Sequence, residues 1–175
     1  MPLKGIPATI TPELLYVLAR MGHGDCIVIA DANFPSDSIA HRTETKQVLR
    51  VHGSTSDLAR DILELMPLDQ YMESPVKVMD RVESDKAKEL FVPAYEALAD
   101  ATGATLDYVE RFSFYEKAKT AFAIVQTNDY TLYANVILFK GVIPSKKSEG
   151  TDRLQQQASG AQDLPQHAVQ GTNGW

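Results

Sequence analysis

The chain has a single cysteine, Cys26, in 175 residues. No internal disulfide can brace it, and a reducing compartment is the simpler setting. Basic residues are also scarce: 17 Lys and Arg stand against 23 Asp and Glu, a formal charge of −6. Phosphate and anionic lipid surfaces are gripped by clustered Lys and Arg that release counterions, so neither nucleic acid nor a membrane surface is an expected partner. No apolar run approaches the ~18 residues of a membrane span. The opening Met1-Pro2-Leu3-Lys4-Gly5 lacks the apolar stretch of a signal peptide, and a cytoplasmic location is expected. Strong catalytic signatures are missing too. There is no Walker loop, no G-x-S-x-G elbow and no H-E-x-x-H pair, and Gly22 with Gly24 does not make a dinucleotide fingerprint. The four histidines are too scattered for a zinc site, so no metal or other cofactor is expected.

What the chain does have is enough apolar material for a core, 44% of residues, in a length that suits one domain. The charge is unevenly placed. Residues 145–175 carry three basic and three acidic side chains, so the whole −6 falls on residues 1–144. The same segment has six of the nine glutamines and only Leu154, Leu164, Val169 and Trp175 as large apolar residues. That composition cannot offset the entropy of ordering, and residues 145–175 are expected to be a disordered tail.

In residues 1–144, Thr11-Pro12-Glu13 reads as a helix start, with the apolar stripe Leu14, Leu18, Met21 and a left-handed stop at Gly22. Cys26–Ala30 is apolar throughout, as a strand covered on both faces would be. Further strands are expected at 47–51, 76–79, 105–111, 121–127 and 135–140. A helix capped by Ser56 should carry Leu58, Ile62 and Leu65, and other helices should fall at 85–101, interrupted at Pro93, and at 112–120. Strands alternating with helices predict a three-layer α/β/α fold in one domain with a mainly parallel sheet, its last two strands antiparallel.

Cys26 starts an apolar strand, which makes it a buried hydrophobe before a nucleophile. His23 lies between two glycines in a loop, open to a ligand, and imidazole exchanges protons near neutral pH. An ordinary exposed loop histidine fits the same spacing, and His41, His52 and His167 read as surface residues. Asp31 ends the apolar strand, where ligands of open α/β sheets gather; a turn-capping Asp is the alternative. Asp69 reads as a loop acid. Late in the chain Arg111, Tyr115, Tyr133 and Asn135 offer a guanidinium, two phenols and an amide. With Asp31 and His23 they form the palette of a site for a neutral polyol.

Several segments in register extend that reading. Thr11-Pro12-Glu13-Leu14-Leu15 is followed by Arg20-Met21-Gly22-His23-Gly24-Asp25 and Ile29-Ala30-Asp31-Ala32-Asn33-Phe34-Pro35. Then come Pro67-Leu68-Asp69-x-Tyr71-x-Glu73-Ser74-Pro75, Arg111-Phe112-x-Phe114-Tyr115-Glu116 with Ala121-Phe122-Ala123, and Tyr133-x-Asn135. Over about residues 3–143 this resembles the fucose mutarotase branch of the ribose pyranase/fucose mutarotase family. The resemblance implies an isomerase that interconverts sugar anomers without a cofactor. It implies His23 as catalytic acid/base, Tyr115 as a second catalytic group, Asp31, Arg111, Tyr133 and Asn135 as sugar ligands, and Asp69 at the site edge. Cys26 stands where the fucose branch often has an acid and Ala134 where it usually has Gly. D-ribose therefore remains an alternative to L-fucose, and a non-catalytic sugar-binding protein is the competing class.

The strand imposes a geometric consequence. A rise of ~3.3 Å per residue places Asp31 on the order of 15–20 Å from His23, more than one sugar can span. A site completed across a subunit boundary of a homo-oligomer is therefore expected, and the resemblance also implies a ring-like assembly.

Overall fold

The Thr11 hydroxyl accepts the Leu14 N–H at 3.2 Å and opens helix α1 (Pro12–Arg20) in a computed structural model that describes residues 3–145. The Gln-rich tail, with His167 and Trp175, falls almost entirely outside the described residues. Helix α1 packs Leu14, Val17 and Leu18 inward. Its end differs from expectation. Met21 swings to an extended ψ of 136° and stops the helix, whereas the left-handed position is taken by Gly24 at φ +84°. The Lys140 ammonium then donates to the carbonyls of Leu18 and Met21 at 3.1 and 2.5 Å, satisfying groups that a helix end leaves free.

Strand β1 (Cys26–Ala30) is buried along its whole length, as its unbroken apolar run predicts. Helix α2 (Ser36–Ala40) follows, a short element that the sequence reading leaves as loop. Strand β2 (Val48–Arg50) leads to α3 (Thr55–Leu63), whose cap is Ser54, two residues before the expected Ser56; the Ser54 hydroxyl accepts the Asp57 N–H. Leu58 and Ile62 form its buried face, and Leu65 lies beyond its end. After β3 (Val76–Met79) the expected interrupted helix resolves into α4 (Glu83–Lys86) and α5 (Pro93–Thr102). Pro93 starts α5 where its missing N–H costs nothing, and Gly103 ends it at φ +62°. Strand β4 (Asp107–Val109), helix α6 (Arg111–Lys119), β5 (Ala123–Gln126) and β6 (Val136–Phe139) complete the chain.

The strands make one sheet in the order β2-β5-β1-β6-β3-β4. Pairs β1·β5, β2·β5 and β3·β4 are parallel, whereas β6 runs antiparallel to both its neighbours, β1 and β3. The last two strands are opposed in direction as expected but do not pair, because β1 lies between them. On one face, residues of α1, α3 and α5 pack on Ile27, Ile29, Val125 and Leu138. On the other, Ile39 of α2 and Phe114 and Ala118 of α6 cover Val28, Ile124 and Ile137. The result is the expected three-layer α/β/α arrangement.

This topology defines two functional edges. The carboxyl ends of β1, β3 and β4 and the start of β6 share one, with Asp31, Arg111 and Asn135. The opposite edge holds the start of β1, the end of β6 and the Asp69 loop. Asp69 N–H donates to Phe139 O at 2.9 Å and Gly141 N–H to Pro67 O at 2.8 Å. The contact at Gly141 is so close that a Cβ there would stand 2.3 Å from the Leu68 carbonyl oxygen. Gly141→Ala is therefore expected to push the Asp69 loop away and to cost about 1–3 kcal/mol. Urea denaturation together with NMR of the His23 ring measures both effects; a variant with unchanged stability and His23 resonances contradicts the contact.

Candidate active site

At the edge beyond β1 the Asp31 and Asn135 side chains, 4% and 3% exposed, clamp each other. The Asp31 N–H donates to Asn135 Oδ1 at 3.0 Å, and Asn135 Nδ2 donates to Asp31 Oδ2 at 2.6 Å. Asn33 N–H donates to the other carboxylate oxygen at 2.8 Å. Burial pushes the Asp31 carboxyl above its ordinary value, and the hydrogen bonds from Asn33 and Asn135 hold it back only in part. One Nδ2–H of Asn135 is thereby committed to Asp31, which leaves its second N–H and the remaining lone pairs of the carboxylate to meet hydroxyls of a ligand.

Around this clamp lies an open depression of about 300 Å³ lined by Arg111, Tyr115, Tyr133, Asp85 and the apolar side chains of Phe34 and Met79, among others. Glu110 caps α6 by accepting the N–H groups of Phe112 and Ser113, both at 2.9 Å, and so sets Arg111 at the first helical position. Those same hydrogen bonds, Ser113 first, hold Glu110 below the usual carboxylate range. The Arg111 guanidinium stacks 4.7 Å from the Phe112 ring, and its buried Nε has no hydrogen-bond partner among the described residues. An orphaned buried donor at a pocket wall suits a ligand acceptor. Phe112 is exposed on this helix and Phe114 buried, as two positions on opposite sides of a helix are. Tyr115 is held edge-on by Phe34 and Phe112 at 5.5 and 6.1 Å between ring centres. Among the described residues its hydroxyl has no partner.

Tyr133 has a φ of +62°, a left-handed conformation that a bulky L-residue rarely adopts. Its hydroxyl donates to Asp85 Oδ2 at 2.6 Å and accepts the Val82 N–H at 3.2 Å. Burial and then the Asp85 hydrogen bond raise its phenol above the ordinary value. Asp85 is the site residue that sequence reasoning misses: nothing in the spacing ties it to a tyrosine 48 residues later. Its one sequence signal is position, since it follows the carboxyl end of a strand.

His23 and Asp69 meet at the opposite edge, where His23 Nε2 lies 3.2 Å from Asp69 Oδ1. Tyr71 N–H donates to the same oxygen at 2.9 Å, and the Tyr71 ring stands edge-on to the imidazole with centroids 5.6 Å apart. Asp69 is held below the ordinary carboxylate value chiefly by the Tyr71 N–H; burial acts against this and His23 adds to it. The Asp69 side chain is 6% exposed but sits close under the surface, so hydrogen bonding outweighs desolvation. The His23 ring is about half exposed, at 47%. The structure thus brings Asp31, Arg111, Tyr115, Tyr133 and Asn135 together and places His23 with Asp69 apart from them.

Cys26 is buried and its thiol is pushed up to about 11, first by burial and then by Asp25, which disfavours the nucleophilic thiolate. Among the described residues no three His, Cys, Asp or Glu side chains come together as a metal centre requires, and no helix is long and apolar enough to cross a membrane. Larger hollows exist, one of about 680 Å³ beside Leu3, Ile6, Ile10 and Tyr16, but its lining is mostly apolar and holds no carboxylate, imidazole or guanidinium.

Fold and pocket together define an α/β protein with an open depression beyond the strand ends lined by carboxylate, amide, phenol and guanidinium groups. Comparison with known proteins makes that class specific. The RbsD / FucU transport protein family matches residues 4–143, and the chain belongs to it. It is 51% identical to the fucose mutarotase of Mus musculus over 148 residues, covering 81% of this chain and 95% of that protein. The Homo sapiens fucose mutarotase is 49% identical over 147 residues, 81% of this chain and 94% of that one. Among solved structures, the fucose mutarotase from Streptococcus pneumoniae in complex with L-fucose superposes with a TM-score of 0.72. It is 40% identical and covers 81% of this chain and all of that one, 100%.

Asn135→Ala removes a donor to the buried Asp31 carboxylate and an acceptor for its N–H. A loss of about 1–3 kcal/mol at neutral pH is expected from leaving those groups short of partners. Asn135 favours the ionised form of Asp31, so its removal raises that carboxyl further. The penalty is largest above the raised pKa, where Asp31 is charged, and shrinks as pH falls and the group is protonated in both proteins. Denaturant curves for the two proteins from pH 4 to 8 measure this, and a penalty independent of pH contradicts it.

Proposed function

We propose that this protein is a mutarotase that interconverts the α and β anomers of L-fucose. The observation that carries the reading is the Asp31–Asn135 clamp with Arg111, Tyr115 and Tyr133 around it, a pocket of hydroxyl partners in a chain whose relatives are named for that activity. Opening a pyranose ring requires that the anomeric hydroxyl lose a proton while the ring oxygen gains one and the C1–O5 bond breaks. After rotation about C1–C2, closure on the other face reverses both transfers, and no atom or charge is gained. His23 exchanges the proton at one oxygen, with its imidazole oriented by Asp69, and Tyr115 assists at the other. Asp31, Arg111, Tyr133 and Asn135 hold the remaining hydroxyls. Such acid–base groups contribute ~10²–10⁴-fold in rate. The catalytic unit is residues 1–144, and the setting is the cytoplasm, in keeping with one buried thiol and few basic residues.

The site is completed across a boundary between copies of the chain. His23 lies before β1 and Asp31 after it, and a rise of ~3.3 Å per residue separates them by more than a sugar's width. Exposed apolar side chains flank each half: Tyr71 beside His23, and Phe112 and Leu132 beside the pocket. Such patches are the material of a subunit contact.

Saturation-transfer NMR on L-fucose reads anomer exchange directly. The protein should raise the rate, His23→Ala should lower its contribution ~10²–10⁴-fold, and the same measurement on D-ribose ranks the two sugars. Binding without faster exchange points to a sugar-binding protein instead. Mixed oligomers of His23→Ala and Asp31→Ala, each inactive alone, should regain activity at roughly a quarter of randomly assembled boundaries, where both halves are intact. A fully active monomer in sedimentation contradicts the shared site.

A further inference from the structure

We propose that Asp85 is a positioning residue that accepts the Tyr133 phenol hydrogen bond, so that Tyr133 offers the sugar an acceptor only and selects a donating hydroxyl at that position. This rests on the pocket being a monosaccharide site. A phenol oxygen has one hydrogen to give and two lone pairs to receive. In Tyr133 the hydrogen goes to Asp85 Oδ2 at 2.6 Å, and one lone pair receives the Val82 N–H at 3.2 Å. One lone pair is left, and Tyr133 and Asp85 both line the pocket. The left-handed backbone at Tyr133, φ +62°, fixes the direction from which the side chain enters.

The surroundings keep Asp85 free for this task. Its neighbour Lys86 is bound to Asp80 and Glu83 at 2.6 and 3.1 Å, and among the described residues Asp85 forms no ion pair. Burial and Asp85 also keep the phenol protonated at neutral pH, so the hydrogen stays in place to be donated.

Because fluorine accepts but does not donate, L-fucose analogues with one hydroxyl replaced by fluorine report on the polarity of each contact. With the unmodified protein, the analogue fluorinated where Tyr133 accepts should bind on the order of tenfold more weakly than L-fucose in NMR or calorimetric titration. Asp85→Ala frees the phenol proton, and that analogue's penalty should fall to about threefold or less while the other analogues keep theirs. Asp85→Asn, whose carbonyl still accepts the phenol proton, should restore the penalty. In a Tyr133→Phe background Asp85→Ala should change nothing further. An equal weakening of every analogue by Asp85→Ala, or an unaltered pattern, overturns the assignment, because a purely structural carboxylate acts on all of them alike. An unmodified protein that neither binds L-fucose nor speeds its anomer exchange overturns the functional reading itself, and this one with it.

Discussion

The insertion of β6 between β1 and β3, antiparallel to both, is the constraint on which the rest of the molecule depends. It delivers Asn135 to the carboxyl end of β1, where the amide reciprocates the Asp31 backbone and side chain. At its other end it delivers Lys140 and Gly141 to the start of β1. There Gly24 N–H donates to Lys140 O at 2.9 Å, and Gly141 closes on the loop that carries Asp69. One four-residue strand, Val136–Phe139, therefore ties the Asp31–Asn135 pair at one edge to the His23 and Asp69 loops at the other. Its register is firm because its Val136, Ile137 and Leu138 side chains are buried on both faces of the sheet, and a slip of one residue would exchange the two cores.

What the sequence made legible was local. The Thr11-Pro12 start, the unbroken apolar run at Cys26–Ala30, and the Pro93 and Gly103 bounds of α5 all follow from side-chain chemistry within a few residues. The place of β6 was not legible, because strand pairing is decided by packing partners far along the chain; Ile29 and Val136 meet across more than a hundred residues. Local competition misplaced two details. Ser54 and Ser56 are both good caps, and the Asp57 N–H falls within reach of the first. Gly22 looked like a helix stop, but its N–H is taken by the Asp25 carboxylate at 2.7 Å, so the chain turns one residue earlier. Among candidate site residues, Asp31 was singled out by its place after a strand end and Arg111, Tyr133 and Asn135 by the polar groups and motifs around them, and all four line one depression. Asp85 carried no motif, since its role exists only once α4 is folded against Tyr133.

The acidity of the chain takes on a definite meaning in this geometry. Asp31, Asp69 and Glu110 each accept backbone N–H groups, and Asp85 accepts a phenol proton. Each carboxylate is thus committed to shaping a loop, a cap or a side chain, and none is arranged with a second acid as a cation cage. An anionic ligand would meet Asp31 and Asp85 with only Arg111 to balance them, whereas a neutral polyol meets acceptors and the unpartnered donors of Arg111 and Tyr115. The left-handed backbone of Tyr133 carries a strain of about 1–3 kcal/mol. It is sustained because the ring is pinned at its far end by Asp85 and Val82, so the strained residue and its anchor belong to one device.

Both polar clusters are fixed to the ends of one buried strand, and this decides how they can cooperate. Strand β1 pairs with β5 on one side and β6 on the other and is covered on both faces, so it cannot bend to bring His23 to Asp31. A lid cannot close the gap either, because Asp69 is tied back to the end of β6 and Tyr71 is held in turn by the Asp69 carboxylate. If the two clusters act on one sugar, the second copy of the chain must present what the first holds out of reach. The distance between acid–base group and sugar pocket is then set by how two rigid sheets dock, and the exposed aromatics flanking each cluster become part of the catalytic geometry.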